Sequence, residues 1–221
     1  GVYPASGAER GVVGLFLGCV ARLLDVETLS AAVFVLNRLG YTVHVPARQT
    51  CCGGLYQDLG LGAGAQRLAA ENAAAFSGRD LDAIVVTASG CGARLAECGC
   101  DALSEAFSRK VRDISAYLID ADGWEAVSVA PLAQPVLVHD SCTLLNVLLC
   151  ETAPYRLLRR IPGAVVEPLA GNDQCCGAAG SFFLREPEMA ASLLNDKIRT
   201  LSATDARYLA TSNVGCARFI A

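Results

Sequence analysis

Cysteine is the residue type whose number and spacing here can do chemistry, with eleven in a chain of 221 residues. Eight of them form two sets: Cys19, Cys51, Cys52 and Cys91, then Cys142, Cys175, Cys176 and Cys216. In the first set 31 residues separate Cys19 from Cys51 and 38 separate Cys52 from Cys91; in the second the intervals are 32 and 39. Local contexts repeat as well. Cys51-Cys52-Gly53 matches Cys175-Cys176-Gly177, and Gly90-Cys91-Gly92-Ala93-Arg94 resembles Val214-Gly215-Cys216-Ala217-Arg218. A self-match at one offset is the mark of an internal duplication.

Soft thiolates select iron–sulfur clusters, zinc and copper(I), and four of them close the coordination sphere of a cubane cluster or of tetrahedral zinc. Single buried cysteines are common and inert, but that does not account for adjacent pairs recurring at one offset. A disulfide framework is equally unsuited, because adjacent cysteines bridge awkwardly and the polar first ten residues carry no export signal. Gly53 and Gly177 free the backbone to turn after each pair and leave room beside the main chain. Exposed N–H groups in such loops can donate to sulfur and favour the reduced centre.

The elements that must position these thiols alternate between strand and helix. Apolar runs and turn residues predict strands at Val12–Leu17, Tyr41–Val45 and Ala83–Thr87, with helices at Asp25–Leu39 and Ala63–Phe76 between them. The second half repeats the order: strand Val136–His139, helix Leu144–Arg160, strand Ala164–Glu167, helix Pro187–Leu201, strand Tyr208–Thr211. The expected fold class is α/β: two similar small halves with parallel sheets, related by duplication. Ligands of such sheets gather at the carboxyl ends of the strands, and each important cysteine follows such an end. The stretch from Asp101 to Pro135 is expected to be a helix and a connecting loop, placing the domains at 1–130 and 131–221.

With these motifs the chain resembles the cysteine-rich CCG-domain family, which includes the C-terminal half of the iron–sulfur subunit of glycolate oxidase. The residues that carry the resemblance are Leu15 to Val20, Leu36 to Tyr41, Gln49 to Gly54, Ser89 to Ala93, Cys175 to Ser181 and Ser212 to Cys216. It implies one or two 4Fe-4S clusters held by the eight cysteines, with zinc as the alternative occupant of the same ligands. It also implies partners: an FAD-containing oxidase subunit that supplies electrons, and a quinone or other acceptor that removes them. The chain would then be a non-catalytic electron-transfer part of an oxidoreductase complex acting on a 2-hydroxy acid. Lactate-utilisation and heterodisulfide-reductase subunits share the motifs and offer alternative roles, as does a zinc-binding interaction module. Many family motifs end in Cys-x-x-Cys, whereas Cys91 is followed by Gly92-Ala93-Arg94 and Cys216 by Ala217-Arg218-Phe219. Four ligands per half, not five, is the expectation. The family's subunit carries a ferredoxin-like region upstream, and a chain starting at Gly1 without Met is expected to be a piece of such a protein.

His139, three residues before Cys142, could ligate metal or bond a cluster sulfur, although a single histidine at a strand end is more often structural. His44 reads as a partly exposed strand residue. Cys98 and Cys100 are expected to be surface thiols near a helix turn, and Cys150 to lie in the core of an apolar helix. Gly60-Leu61-Gly62-Ala63-Gly64 follows the CCG loop, not the first strand of a crossover unit, so it reads as a helix entry and not a nucleotide fingerprint. Net charge is −4, and the 18 basic residues form no run, which excludes a counterion-driven nucleic-acid interface. No stretch approaches the length of a membrane helix. A cytoplasmic location is expected, with at most peripheral association at the inner face of the membrane.

Overall fold

The computed structural model describes residues 1–99 and 101–221; Cys100 lies outside the described residues. The chain divides into two compact units, Gly1–Ser128 and Val129–Ala221.

The first unit runs β1 (Val2–Tyr3), β2 (Gly11–Phe16), α1 (Ala21–Leu24), α2 (Val26–Arg38), β3 (Tyr41–His44), α3 (Gly54–Asp58), α4 (Gly62–Phe76), β4 (Ala83–Val86), α5 (Ser89–Ala96), α6 (Ala102–Lys110), β5 (Val111–Asp113) and α7 (Ile114–Asp120). Its sheet has the order β1-β3-β2-β4-β5, parallel except for β1. The interior strand β4 reads Ala-Ile-Val-Val and is buried throughout, as a strand covered on both faces must be. Helix α2 buries Leu29, Ala32 and Leu36 at helical spacing, and Gly40 turns the chain at φ 94° into β3. Helix α4 buries Ala65, Ala69, Asn72, Ala73 and Phe76, a face of mostly small residues that lets it lie close to the loop carrying Cys51 and Cys52.

The second unit runs β6 (Pro135–Val138), a π-helical turn (Leu144–Leu148), α8 (Thr152–Leu158), β7 (Val165–Pro168), α9 (Phe182–Arg185), α10 (Pro187–Ser202), β8 (Tyr208–Ala210) and α11 (Val214–Ile220). Its three-stranded sheet has the order β7-β6-β8, all parallel. That is the arrangement of β3-β2-β4 in the first unit. The expected α/β duplication is therefore present, with β1 and β5 as additions to the first copy.

Four local expectations need correction. The stretch after Asp101 is not one helix and a loop: β5 pairs with β4, and Asp113 then caps α7 by accepting from the backbone N–H groups of Ser115 (2.8 Å) and Ala116 (3.4 Å). Three residues with a polar centre give no periodic signal. The continuous helix expected over Leu144–Arg160 is broken at Leu149, whose φ is +51°. Pro154 explains the break, since a helix running through it would lose one N–H and drive the proline ring into the carbonyl of Cys150. Cys150 consequently sits half-buried between the two helical pieces and not in the core of one helix. Cys98 is buried, not a surface thiol; its Sγ donates to the Arg94 carbonyl at 3.0 Å.

Among the described residues, no helix is long and apolar enough to cross a membrane.

Candidate metal centres

Each unit brings its four cysteines to the carboxyl end of its sheet. Cys19 lies in the turn after β2, Cys51 and Cys52 in the loop after β3, and Cys91 in the first turn of α5, directly beyond β4. Cys142 follows β6, Cys175 and Cys176 lie in the loop between β7 and α9, and Cys216 stands in the first turn of α11 beyond β8. The sequence placed the thiols at strand ends. It did not show the short helices that carry the last cysteine of each set.

Within each unit the thiols are close enough to share protons, and the pattern is the same twice. Cys51 is held down to about 2 by hydrogen bonds from the thiols of Cys19 and then Cys52, its Sγ lying 3.2 Å from that of Cys19. Cys175 is likewise held down to about 2 by Cys142 and Cys176. The donors Cys19, Cys52, Cys142 and Cys176 are pushed well above the ordinary thiol range, first by those hydrogen bonds and then by burial. Cys91 is lowered by a hydrogen bond from Cys52, and Cys216 is lowered to about 6 by one from Cys176. Gathered sulfurs of this kind cannot all ionise unless a cation compensates them. No disulfide joins any of the described cysteines. Four convergent thiols are a donor set that fits a cluster or a metal ion.

Backbone donors complete each centre. The N–H of Gly53 points at Cys51 Sγ and that of Gly177 at Cys175 Sγ, both at 3.4 Å. Both glycines have left-handed backbones, φ 83° and 95°. A Cβ on Gly53 would come within 3.2 Å of the Ala65 Cα, and one on Gly177 within 2.6 Å of the Ala190 carbonyl oxygen. Glycine is required at both positions so that the loop can turn its N–H toward sulfur while packing against the following helix.

A side-chain amide ties each loop to the strand that leads to the first cysteine. Gln49 accepts from the Leu17 N–H at 2.7 Å and donates to the Leu15 carbonyl at 3.2 Å. Asn172 accepts from the Asp140 N–H at 3.3 Å and donates to the Val138 carbonyl at 2.8 Å. Leu15 and Val138 each stand four residues before the first cysteine of their set, and Leu17 and Asp140 two before it. Carrying one acceptor and one donor, the amide acts as a further peptide group alongside the strand. In the first unit Asn72 of α4, fully buried, adds a second tie, accepting from the Thr50 N–H at 2.8 Å and donating to the Cys51 carbonyl at 2.9 Å.

His139 is 2% exposed, and one of its ring nitrogens lies within 4.8 Å of the sulfurs of Cys176 and Cys216. The structure thus places this histidine at the second centre. His44 stays half-buried at the end of β3.

The sequence alone did not reveal Gln49, Asn72, Asn172 or Lys197, a buried residue of α10 that donates to the Gly171 carbonyl, as parts of these sites. Asn72 and Lys197 had a readable signal, since each interrupts the apolar face of an otherwise regular helix. The two amides had none, because their partners are backbone groups.

Two α/β units, each converging four thiols through a Cys-Cys-Gly loop, define a tandem cysteine-rich protein. The family model for the CCG cysteine-rich domain matches the chain twice, over residues 13–96 and 136–221, and the chain belongs to this family. It is 33% identical over 223 residues to the probable glycolate oxidase iron-sulfur subunit of Bacillus subtilis (strain 168), covering 96% of this chain and 50% of that protein. It is 30% identical over 212 residues to lactate utilization protein A of Geobacillus kaustophilus, covering 92% of this chain and 87% of that protein. An uncharacterized iron-sulfur protein of Methanococcus maripaludis is 31% identical over 203 residues, which is 92% of this chain and 40% of that protein. The chain therefore spans half the length of the first of these relatives and most of the second.

Proposed function

We propose that the chain is the cluster-holding, electron-carrying part of a 2-hydroxy-acid oxidation complex. The observation that carries this reading is the pair of four-thiol sets gathered at matching strand ends with the same backbone N–H donors. The names of the relatives, a glycolate oxidase iron-sulfur subunit and a lactate utilization protein, supply the substrate class, since glycolate and lactate are both 2-hydroxy acids.

In this reading Cys19, Cys51, Cys52 and Cys91 hold one 4Fe-4S cluster and Cys142, Cys175, Cys176 and Cys216 hold another. When bound, such a cluster accepts and releases one electron at a time. The protein's own residues do the rest. Gln49, Asn172 and Asn72 fix the loops, Gly53 and Gly177 turn N–H groups onto sulfur, and buried Phe16 and Leu95 in the apolar cluster that includes Cys52 keep water from one side of the first set. Substrate chemistry belongs to an FAD-containing partner subunit, where oxidation of the hydroxy acid to the oxo acid releases two electrons and two protons to the flavin. The electrons then pass singly through this chain to a quinone or other acceptor.

The test is anaerobic reconstitution with iron and sulfide, followed by the visible spectrum and by quantification of iron, acid-labile sulfide and zinc. The expected result is brown protein with about eight irons and matching sulfide per chain. Colourless protein holding zinc without sulfide overturns the electron-transfer reading in favour of a structural module.

A further inference from the structure

Two buried exchanges between the centres change their charge and donor chemistry. Three residues before its first cysteine the first unit has Phe16, packed in the apolar cluster with Cys52, while the second has His139. Seven residues after the alanine that packs on its CCG glycine, Ala65 or Ala190, the first unit has Asn72 and the second has Lys197. An apolar ring is thus exchanged for an imidazole and a neutral amide for an ammonium.

The tautomer of His139 follows from its neighbour. Asn172 has its amide orientation fixed, because Nδ2 donates to the Val138 carbonyl (2.8 Å) and to Asp140 Oδ2 (2.9 Å), while Oδ1 accepts from the Asp140 N–H (3.3 Å). That Oδ1 also faces His139 Nδ1 at 3.4 Å, so Nδ1 carries the hydrogen and donates. Nε2 is left with a lone pair, buried beside the thiols of Cys176 and Cys216 with no oxygen or nitrogen partner. An imidazole held by a second-shell acceptor, with its other nitrogen beside two thiols, is arranged as a metal ligand.

Lys197 is 1% exposed and donates to the Gly171 carbonyl. Burial pulls its pKa below the ordinary lysine range, and the anionic forms of Cys176, Asp173, Cys175 and Cys216 push it back up. In the first unit the cation that acts on Cys51 is Arg22, which is exposed and screened by water.

We infer that the second set is a mixed nitrogen–sulfur centre, in which a ring nitrogen from His139 takes one of the four ligand places from a thiolate and Lys197 supplies a buried positive charge, and that it accepts an electron at a higher potential than the all-sulfur first set. Both exchanges act in that direction. Replacing thiolate character by imidazole raises the potential of an iron–sulfur centre, and buried positive charge favours the reduced, more negative form. The inference rests on the cluster reading above.

The test uses the whole chain, reconstituted anaerobically, with Cys51→Ser/Cys52→Ser to leave only the second centre and Cys175→Ser/Cys176→Ser to leave only the first. Iron and sulfide are quantified, and each centre is titrated with dithionite as the electron donor, followed by its visible and EPR spectra. The second centre is expected to be reduced at the higher potential. His139→Phe and Lys197→Asn, each installing the residue of the first unit, should lower it at least tenfold in the one-electron reduction constant, about 59 mV. Lys197→Arg should keep it. Nitrogen coupling in the pulsed EPR of the second centre should vanish in His139→Phe. Equal potentials in the two single-centre proteins, or variants that keep their iron without shifting, overturn the inference and leave the cluster reading standing. Protein that binds no iron overturns both.

Discussion

At the scale of single residues, the centres depend on polar groups that touch backbone more than on the thiols' own packing. Asn72 satisfies two backbone groups around Cys51 from a fully buried position. Removing it strands a donor and an acceptor, each costing about 1–3 kcal/mol when left unpaired in the interior. Asn72→Ala should therefore lower stability to denaturant by about 2 kcal/mol or more and loosen the first centre, visible as faster loss of iron to a chelator. The second centre should be unaffected. The glycines make a sharper comparison. Alanine at either position adopts a left-handed backbone at a cost of about 1–2 kcal/mol. Gly177→Ala adds a clash with the Ala190 carbonyl at 2.6 Å, whereas Gly53→Ala adds only a 3.2 Å approach to Ala65. Gly177→Ala should be the more destabilising of the two by equilibrium unfolding, and the reverse order would show that the second loop moves freely.

At the scale of elements, Asp113 links a short strand to α7 and sets a pH dependence. It is 2% exposed, and burial raises its carboxyl above the ordinary range despite the hydrogen bonds from Ser115 and Ala116. A raised folded-state value means the folded protein holds the proton more tightly than the unfolded chain. The associated stability is complete below the unfolded carboxyl pKa and is lost as pH rises through the folded one. Asp113→Asn keeps the cap and removes the buried charge. Its stability should be at least that of the wild type at neutral pH and flatter through the acid range, while Asp113→Ala should lose about 1 kcal/mol with the cap. Thermal melts between pH 3 and 8 would show both.

How far the elements were legible follows from the same physics. Strands such as Ala83–Val86 and helices such as Val26–Arg38 announce themselves through apolar runs and helical spacing. Strand β5 does not, because Val-Arg-Asp is too short to carry a period. The break at Leu149 was readable from Pro154, whose missing N–H outweighs the apolar pattern around it. The thiol sets were visible as spacing, and their grouping by unit follows from the strand ends. The place of His139 beside Cys176 and Cys216 was not, since a histidine at a strand end can face either way until the following loop is known.

At the scale of the whole molecule, each unit draws its four cysteines from its own sheet and helices. Loading should therefore be independent. Cys51→Ser/Cys52→Ser is expected to retain about four irons with matching sulfide and an unchanged second-centre spectrum. Loss of all iron would mean that neither centre forms without the other. The exchange of Phe16 for His139 and of Asn72 for Lys197 gives duplicated units room to diverge in chemistry while the sheet order β3-β2-β4, repeated as β7-β6-β8, stays fixed.

The amide ties carry a consequence for how such proteins are compared. Gln49 stands two residues before its Cys-Cys pair and Asn172 three before, so the second loop is one residue longer at this point and its amide side chain one methylene shorter. Both bridge the same pair of backbone groups. Aligned column by column, Gln49 falls opposite Asp173 and the shared tie disappears from view. The two units share a distance here rather than a position, and a survey of related loops will find the tie only by asking which side-chain amide reaches the strand.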